Sequence, residues 1–133
     1  MTELVRILHV EDDPSIQQIA KIALEAVGGF EVCSCHGGQQ ALEQFADFNP
    51  QLVLLDVMMP GMDGPETLRQ LQQRFDLSTI PVVFMTAKVQ SHEVQSYKDL
   101  GAIDVVVKPF DPMTLSERIR QIWQQTMLPA NES

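Results

Sequence analysis

The stretch Leu52-Val53-Leu54-Leu55-Asp56-Val57-Met58-Met59-Pro60-Gly61-Met62-Asp63-Gly64 sets an acid at the end of an uninterrupted apolar run, directly before a turn rich in Pro and Gly. Apolar residues in unbroken succession, with a β-branched member, read as a strand buried on both faces. Pro60, Gly61 and Gly64 then forbid its continuation as strand or helix. A carboxylate in that position is costly unless it is paired or coordinated. Asp56 is therefore a displayed charge that needs a chemical reason.

The same unit recurs on either side of it. Residues 4–10 are β-rich and stop at Glu11-Asp12-Asp13. Asp13-Pro14 is an N-cap and N1 pair, after which Ile16, Ile19, Ala20, Ala23 and Val27 predict a helical stripe up to Gly28-Gly29. Residues 30–35 read as a second strand, Gly37-Gly38 as a break, and Ala41, Leu42, Phe45 and Phe48 as the apolar side of a second helix ending at Asn49-Pro50. After the Asp56 strand, residues 64–75 predict a helix with Leu68, Leu71 and Phe75 inward. Residues 80–85 predict a strand ending at Thr86, and residues 89–100 a helix on Val94, Tyr97 and Leu100. Residues 103–107 predict a strand ending at Lys108-Pro109-Phe110, and Asp111-Pro112 opens a last helix on Met113, Leu115, Ile119, Ile122 and Trp123. Residues 1–126 are thus expected as one domain and 127–133 as a short C-terminal tail.

Strict strand and helix alternation argues for an α/β fold, a doubly wound five-stranded parallel sheet with helices on both faces, because parallel strands need crossovers and these are right-handed. A length of 133 residues with 44% hydrophobic content suits a single core. The formal charge of −9 speaks against direct binding of nucleic acid by this chain. No apolar run reaches the roughly 18–20 residues of a membrane span, and Met1-Thr2-Glu3-Leu4 has no basic start, so a cytoplasmic protein without membrane insertion is expected.

In such sheets ligands bind at the carboxyl ends of the strands. Glu11 and Asp12 close the first strand, Asp56 the third, Thr86 the fourth and Lys108 the fifth, which brings all of them to one edge. Converging carboxylates repel and raise one another's pKa unless a cation lies between them. Oxygen-only donors point to a hard ion, Mg²⁺. A carboxylate beside Mg²⁺ and a lysine is suited to attack phosphorus, with Lys108 and the Thr86 hydroxyl meeting the phosphoryl charge.

Val10-Glu11-Asp12-Asp13-Pro14, the segment from Leu55 to Gly64, Met85-Thr86-Ala87 and Val107-Lys108-Pro109-Phe110 together resemble the signatures of response-regulator receiver domains, over roughly residues 4–125. The resemblance implies a flavodoxin-like strand order of 2-1-3-4-5. It implies that Asp56 accepts a phosphoryl group from a phosphohistidine on a sensor histidine kinase or histidine phosphotransfer protein. Asp12 and Asp56 would ligate Mg²⁺ with the Met58 backbone carbonyl, and Glu11 would act largely through water. Lys108 would contact the phosphoryl group, ahead of a cis bond to Pro109, and Thr86 would swing toward it. Signalling would follow from altered binding of a downstream protein, as a monomer or a phosphorylation-dependent dimer, on a face around Val89, Tyr97, Val105 and Phe110. Such a domain catalyses only its own phosphoryl transfer and dephosphorylation. Val105 stands where many receivers carry Phe or Tyr, which puts the usual aromatic readout in question. Met58 and Lys88, two residues beyond the acceptor and the threonine, border the site and in this family tune phosphate lifetime.

Plainer roles account for other conspicuous residues. Asp13 is explained as an N-cap, and Gly61, Asp63 and Gly64 serve the turn and the third helix. His9 belongs to a buried strand, while His36 and His92 fall at loop or helix-start positions. Cys33 and Cys35 point the same way along a short strand and read as reduced thiols, with a metal site involving His36 as the weaker alternative. A haloacid-dehalogenase-type phosphatase also uses an Asp nucleophile, but it needs a second Asp two residues on, where this chain has Met58. A flavodoxin-type flavin site has the wrong electrostatics, because acids stand where a hydroxyl-rich phosphate loop belongs. A phosphorylation-independent interaction module leaves the acceptor constellation without a purpose.

Overall fold

The computed structural model describes residues 2–127. Its elements are β1 (Arg6–Val10), α1 (Pro14–Ile22, prolonged by a π-helical turn over Ala23–Val27), β2 (Glu31–Cys35), α2 (Gly38–Phe48), β3 (Leu52–Asp56), α3 (Gly64–Arg74), β4 (Val82–Thr86), α4 (Ser91–Leu100), β5 (Asp104–Val107) and α5 (Leu115–Met127). Every neighbouring pair of strands is parallel, in the order β2-β1-β3-β4-β5. The chain moves outward in opposite directions from β1 and β3, so the crevice opens where these two strands end.

Two apolar layers hold the sheet. Leu8, Val10, Val53, Leu55 and Phe84 face α2, α3 and α4, while Ile7, Leu52, Leu54, Val83 and Met85 face α1 and α5. Each such side chain contributes about 1.5–3 kcal/mol by leaving water. β3 and β4 are buried along their whole length, Asp56 and Thr86 included, as the unbroken apolar run requires.

Several expected faces and boundaries shift. On α1 the buried residues are Ala20, Ala23 and Leu24, whereas Ile19 and Val27 are exposed. The helical phase that buries Ala20 carries Leu24 inward one turn later, and the π-helical turn leaves Val27 outside. On α4, Tyr97 is buried and Leu100 exposed, and the helix starts after Gln90, whose capping box with Glu93 replaces the expected start at Val89. Asp111 forms a turn, accepting from the Met113 and Leu115 amides, so α5 begins at Leu115 and Met113 projects into solvent. Met127, expected in the tail, is the last residue of α5, and residues 128–133 lie outside the described residues.

α3 approaches β3 closely. A Cβ at Gly64 would stand 2.5 Å from the Asp56 carbonyl oxygen and 2.8 Å from the Val57 Cα, both of them backbone atoms. Only glycine lets the helix start there, and its amide donates to the Val57 carbonyl at 2.9 Å. Gly64→Ala is therefore expected to lower stability by about 1–3 kcal/mol in chemical denaturation, the usual cost of overpacking.

His9 occupies the buried strand position expected of it, and neither ring nitrogen has a hydrogen-bond partner. Burial, with a smaller push from the Lys108 ammonium, pulls its imidazole down to about 4. The unfolded chain protonates His9 below its ordinary value of 6.5, while the native protein resists until about 4. Native stability is therefore lost as pH falls through that window, by about 1.4 kcal/mol per unit from this group. Denaturant titrations of the wild type and His9→Leu between neutral and acidic pH should show the gap between them shift against the wild type as pH falls. A gap independent of pH would contradict this.

Candidate functional site

Parallel pairing puts the ends of β1, β3, β4 and β5 along one edge. There Lys108 reaches back across the sheet. Its Nζ donates to Asp56 Oδ1 at 2.9 Å and forms an ion pair with Glu11 Oε1 at 2.7 Å. Its own amide donates to the Thr86 carbonyl at 2.9 Å, which ties the end of β5 to that of β4. The Lys108–Pro109 peptide bond is cis.

Glu11 and Asp56 are almost fully buried, at 1% and 2% exposure. Burial, the largest influence, pushes the Glu11 carboxyl above its ordinary range, and the Asp56 charge adds to this against the opposing hold of Lys108 and the Asp13 amide. Burial pulls on the Lys108 ammonium in the opposite sense, toward neutrality. Its contacts with Glu11 and Asp56 together outweigh that pull and raise its pKa. The lysine is thus held as a cation by the two acids it bridges. One carboxylate oxygen from each of Glu11, Asp12 and Asp56 lies within 4.8 Å of the others. This all-oxygen set, carrying more negative charge than Lys108 neutralises, has the donor chemistry a small hard divalent cation needs.

The loop behind these acids is closely tied. Asp13 caps α1 by accepting from the Ser15 amide at 2.8 Å and the Ile16 amide at 3.2 Å, and its own amide donates to Glu11 Oε2 at 3.2 Å. Thr86 is buried, and its hydroxyl accepts from the Lys88 amide at 3.1 Å. Met58 exposes its side chain at the lip, with 66% of its surface open. One contributor went unread in the sequence: Gln17 on α1 donates to the carbonyls of Glu11 and Cys35. The only signal was a polar residue six positions beyond Glu11, beside the apolar stripe of the first helix.

The expected partner face is not continuous. Val89 is exposed, but Tyr97 and Val105 are buried in the layer beneath α4, where Tyr97 packs edge-on against Phe84 with ring centroids 5.4 Å apart. Phe110 packs against the layer on the opposite side of the sheet and lines a hollow of 350 Å³ with Ile16, Ile19 and Lys108. The reason is that β5 alternates its side chains: Val105 faces α4 while the chain after Lys108 turns toward α1. The cysteine pair behaves as two thiols. Burial, then the neighbouring Cys33, push the Cys35 thiol up to about 12. Among the described residues, the metal-spaced grouping is the acidic trio and does not include Cys33, Cys35 or His36. No helix among them is long and apolar enough to cross a membrane.

Known proteins share the sequence pattern and the fold. The family profile described as "Response regulator receiver domain" matches residues 7–120. The transcriptional regulatory protein CseB of Streptomyces avermitilis is 40% identical over 122 residues, which are 92% of this chain and 50% of CseB. The DNA-binding response regulator MtrA of Mycolicibacterium smegmatis is 43% identical over 115 residues, 86% of this chain and 49% of MtrA. The chain spans about half the length of these curated relatives. The expected absence of a nucleic-acid partner finds no support in them, since MtrA is named as DNA-binding. Among solved structures, the chemotaxis response regulator CheY4 of Vibrio cholerae superposes with a TM-score of 0.82 at 28% identity, covering 90% of this chain and 99% of that one. The strand order and a family match running from β1 into α5 agree, and this chain belongs to the response regulator receiver domain family.

Proposed function

We propose that Asp56 accepts a phosphoryl group from a phosphohistidine and that the resulting change in charge alters binding to a downstream protein. The observation that carries this reading is the bridge from Lys108 to Asp56 and Glu11, at 2.9 and 2.7 Å, beside the clustered acids. An Asp56 oxygen forms the new bond to phosphorus as the bond to the donor imidazole breaks, and the imidazole keeps the electron pair. Lys108, already in contact with Asp56, follows the developing charge on the phosphoryl oxygens. Asp12, Asp56 and the Met58 carbonyl would hold Mg²⁺, with Glu11 acting through water, and the bound ion would supply further neutralisation of that charge.

The donor is a sensor histidine kinase or a histidine phosphotransfer protein, and the chain works in the cytoplasm. Its relatives' names as response regulators and transcriptional regulators support this setting. A phosphorylated aspartate carries more negative charge than the carboxylate it replaces, and Thr86 is placed to answer it by leaving the Lys88 amide. With Val105 beside Phe84 in the sheet, the aromatic contact from α4 comes from Tyr97. Displacement of Thr86 is read out along Phe84 and Tyr97 into α4.

Intact-mass measurement with Mg²⁺ and a small phosphodonor should show one added phosphoryl group, absent from Asp56→Asn and after chelation of Mg²⁺. An adduct that survives Asp56→Asn would refute the assignment. Lys108→Ala should slow adduct formation by about 10²–10³-fold, the scale of removing one charge-stabilising donor. Tyr97→Leu should take up the group at the wild-type rate yet lose the response of α4 in amide hydrogen exchange. An unchanged response would place the readout elsewhere.

A further inference from the structure

The Gln17 side chain carries two amide N–H donors, and it is placed to give one to each of two backbone carbonyls. Nε2 lies 3.2 Å from the Glu11 carbonyl oxygen and 3.0 Å from the Cys35 carbonyl oxygen. The Cys35 carbonyl also accepts from the Glu11 amide at 2.9 Å. Gln17 therefore stands where the paired strands β1 and β2 come apart and β1 turns into the acidic loop.

The Glu11 carbonyl is not incidental to the site. It belongs to the peptide that joins Glu11 to Asp12, and that unit is planar, so fixing its oxygen fixes the direction of the Asp12 N–Cα bond. The other anchors of this loop act elsewhere: Asp13 holds the start of α1, and the Asp13 amide holds the Glu11 carboxylate. Among the described residues, Gln17 is the side chain that holds this peptide plane. A ligand set is useful to a small cation only if its directions are set before binding, and partners one shell out commonly supply that.

We propose that Gln17 is a positioning residue for the cation site, orienting Asp12 through the Glu11–Asp12 peptide. The role deepens the phosphoacceptor reading and rests on it for its purpose, though not for its geometry. Gln17 touches neither the cation nor the phosphoryl group. It acts through backbone alone, so any side chain that returns an N–H donor to the same carbonyl should replace it.

The test uses Gln17→Met, of similar length without a donor, and Gln17→Arg, which restores N–H donors, each checked for folding by circular dichroism. In metal-free protein, ¹⁵N relaxation should give the Asp12 amide a rigid order parameter of about 0.85 in the wild type and in Gln17→Arg. It should be clearly lower in Gln17→Met. Isothermal titration with Mg²⁺ should show affinity weakened about 10–100-fold in Gln17→Met and near wild type in Gln17→Arg. Unchanged Asp12 order in Gln17→Met overturns the proposal, as does an equal loss in both variants, which would make the contact one of packing. If the wild type takes up no Mg²⁺ while Asp12 order still depends on Gln17, Gln17 orients the Glu11–Asp12 peptide but serves no cation site, and the phosphoacceptor reading falls. If Mg²⁺ binds equally to the wild type and Gln17→Met, the reverse holds.

Discussion

A half-buried ammonium placed between two buried carboxylates is the constraint on which the rest of this molecule depends. Glu11 and Asp56 arrive at the sheet edge on the two central strands, with apolar layers on both faces and little water to solvate them. Left unpaired, either charge would cost several kcal/mol. Lys108 meets both, and it does so from the far edge strand, which requires that β5 be in register with β4 and that β4 be in register with β3. The strand order and the charge pairing are thus one requirement.

The pairing is incomplete. Lys108 supplies one positive charge to a cluster that also contains Asp12, and burial pushes Glu11 toward its neutral form. A site in balance would resist any new charge. This one holds an excess of acid, which favours a cation beside the lysine. The Thr86 hydroxyl meanwhile accepts a hydrogen bond from the Lys88 amide. The scaffold beneath is far less yielding, since α3 begins against the Asp56 backbone at a point with no room for a Cβ. Close packing thus stands behind Asp56, and a hydroxyl stands beside it.

Much of this was legible in the chain. The apolar run before Asp56 announces a fully buried strand, and the acids, Thr86 and Lys108 at successive strand ends announce a shared edge, because parallel strands connected by helices all end on one side. Capping residues Asp13 and Asp63 likewise declare themselves by type and position. The faces of short helices were less legible. Ile19 and Val27 have the spacing of an inward stripe and yet face solvent, because the π-helical turn and the packing of α5 decide the phase at the end of α1. Met113 fails for a different reason, as Asp111 closes a local turn before the helix starts.

The sequence by itself determined the order of elements, the parallel sheet and the set of ionisable groups at its carboxyl edge, since these follow from periodicity and from the cost of burying charge. Only the tertiary structure decided which residues touch. Gln17 acquires its two carbonyls because β1 and β2 separate beside it, Tyr97 becomes the aromatic neighbour of Phe84 because α4 packs on β5 next to β4, and Phe110 leaves the expected face because the chain turns after Lys108. Contacts between residues far apart in the chain depend on the direction in which each element lies across the sheet. Local pattern carries no record of that direction.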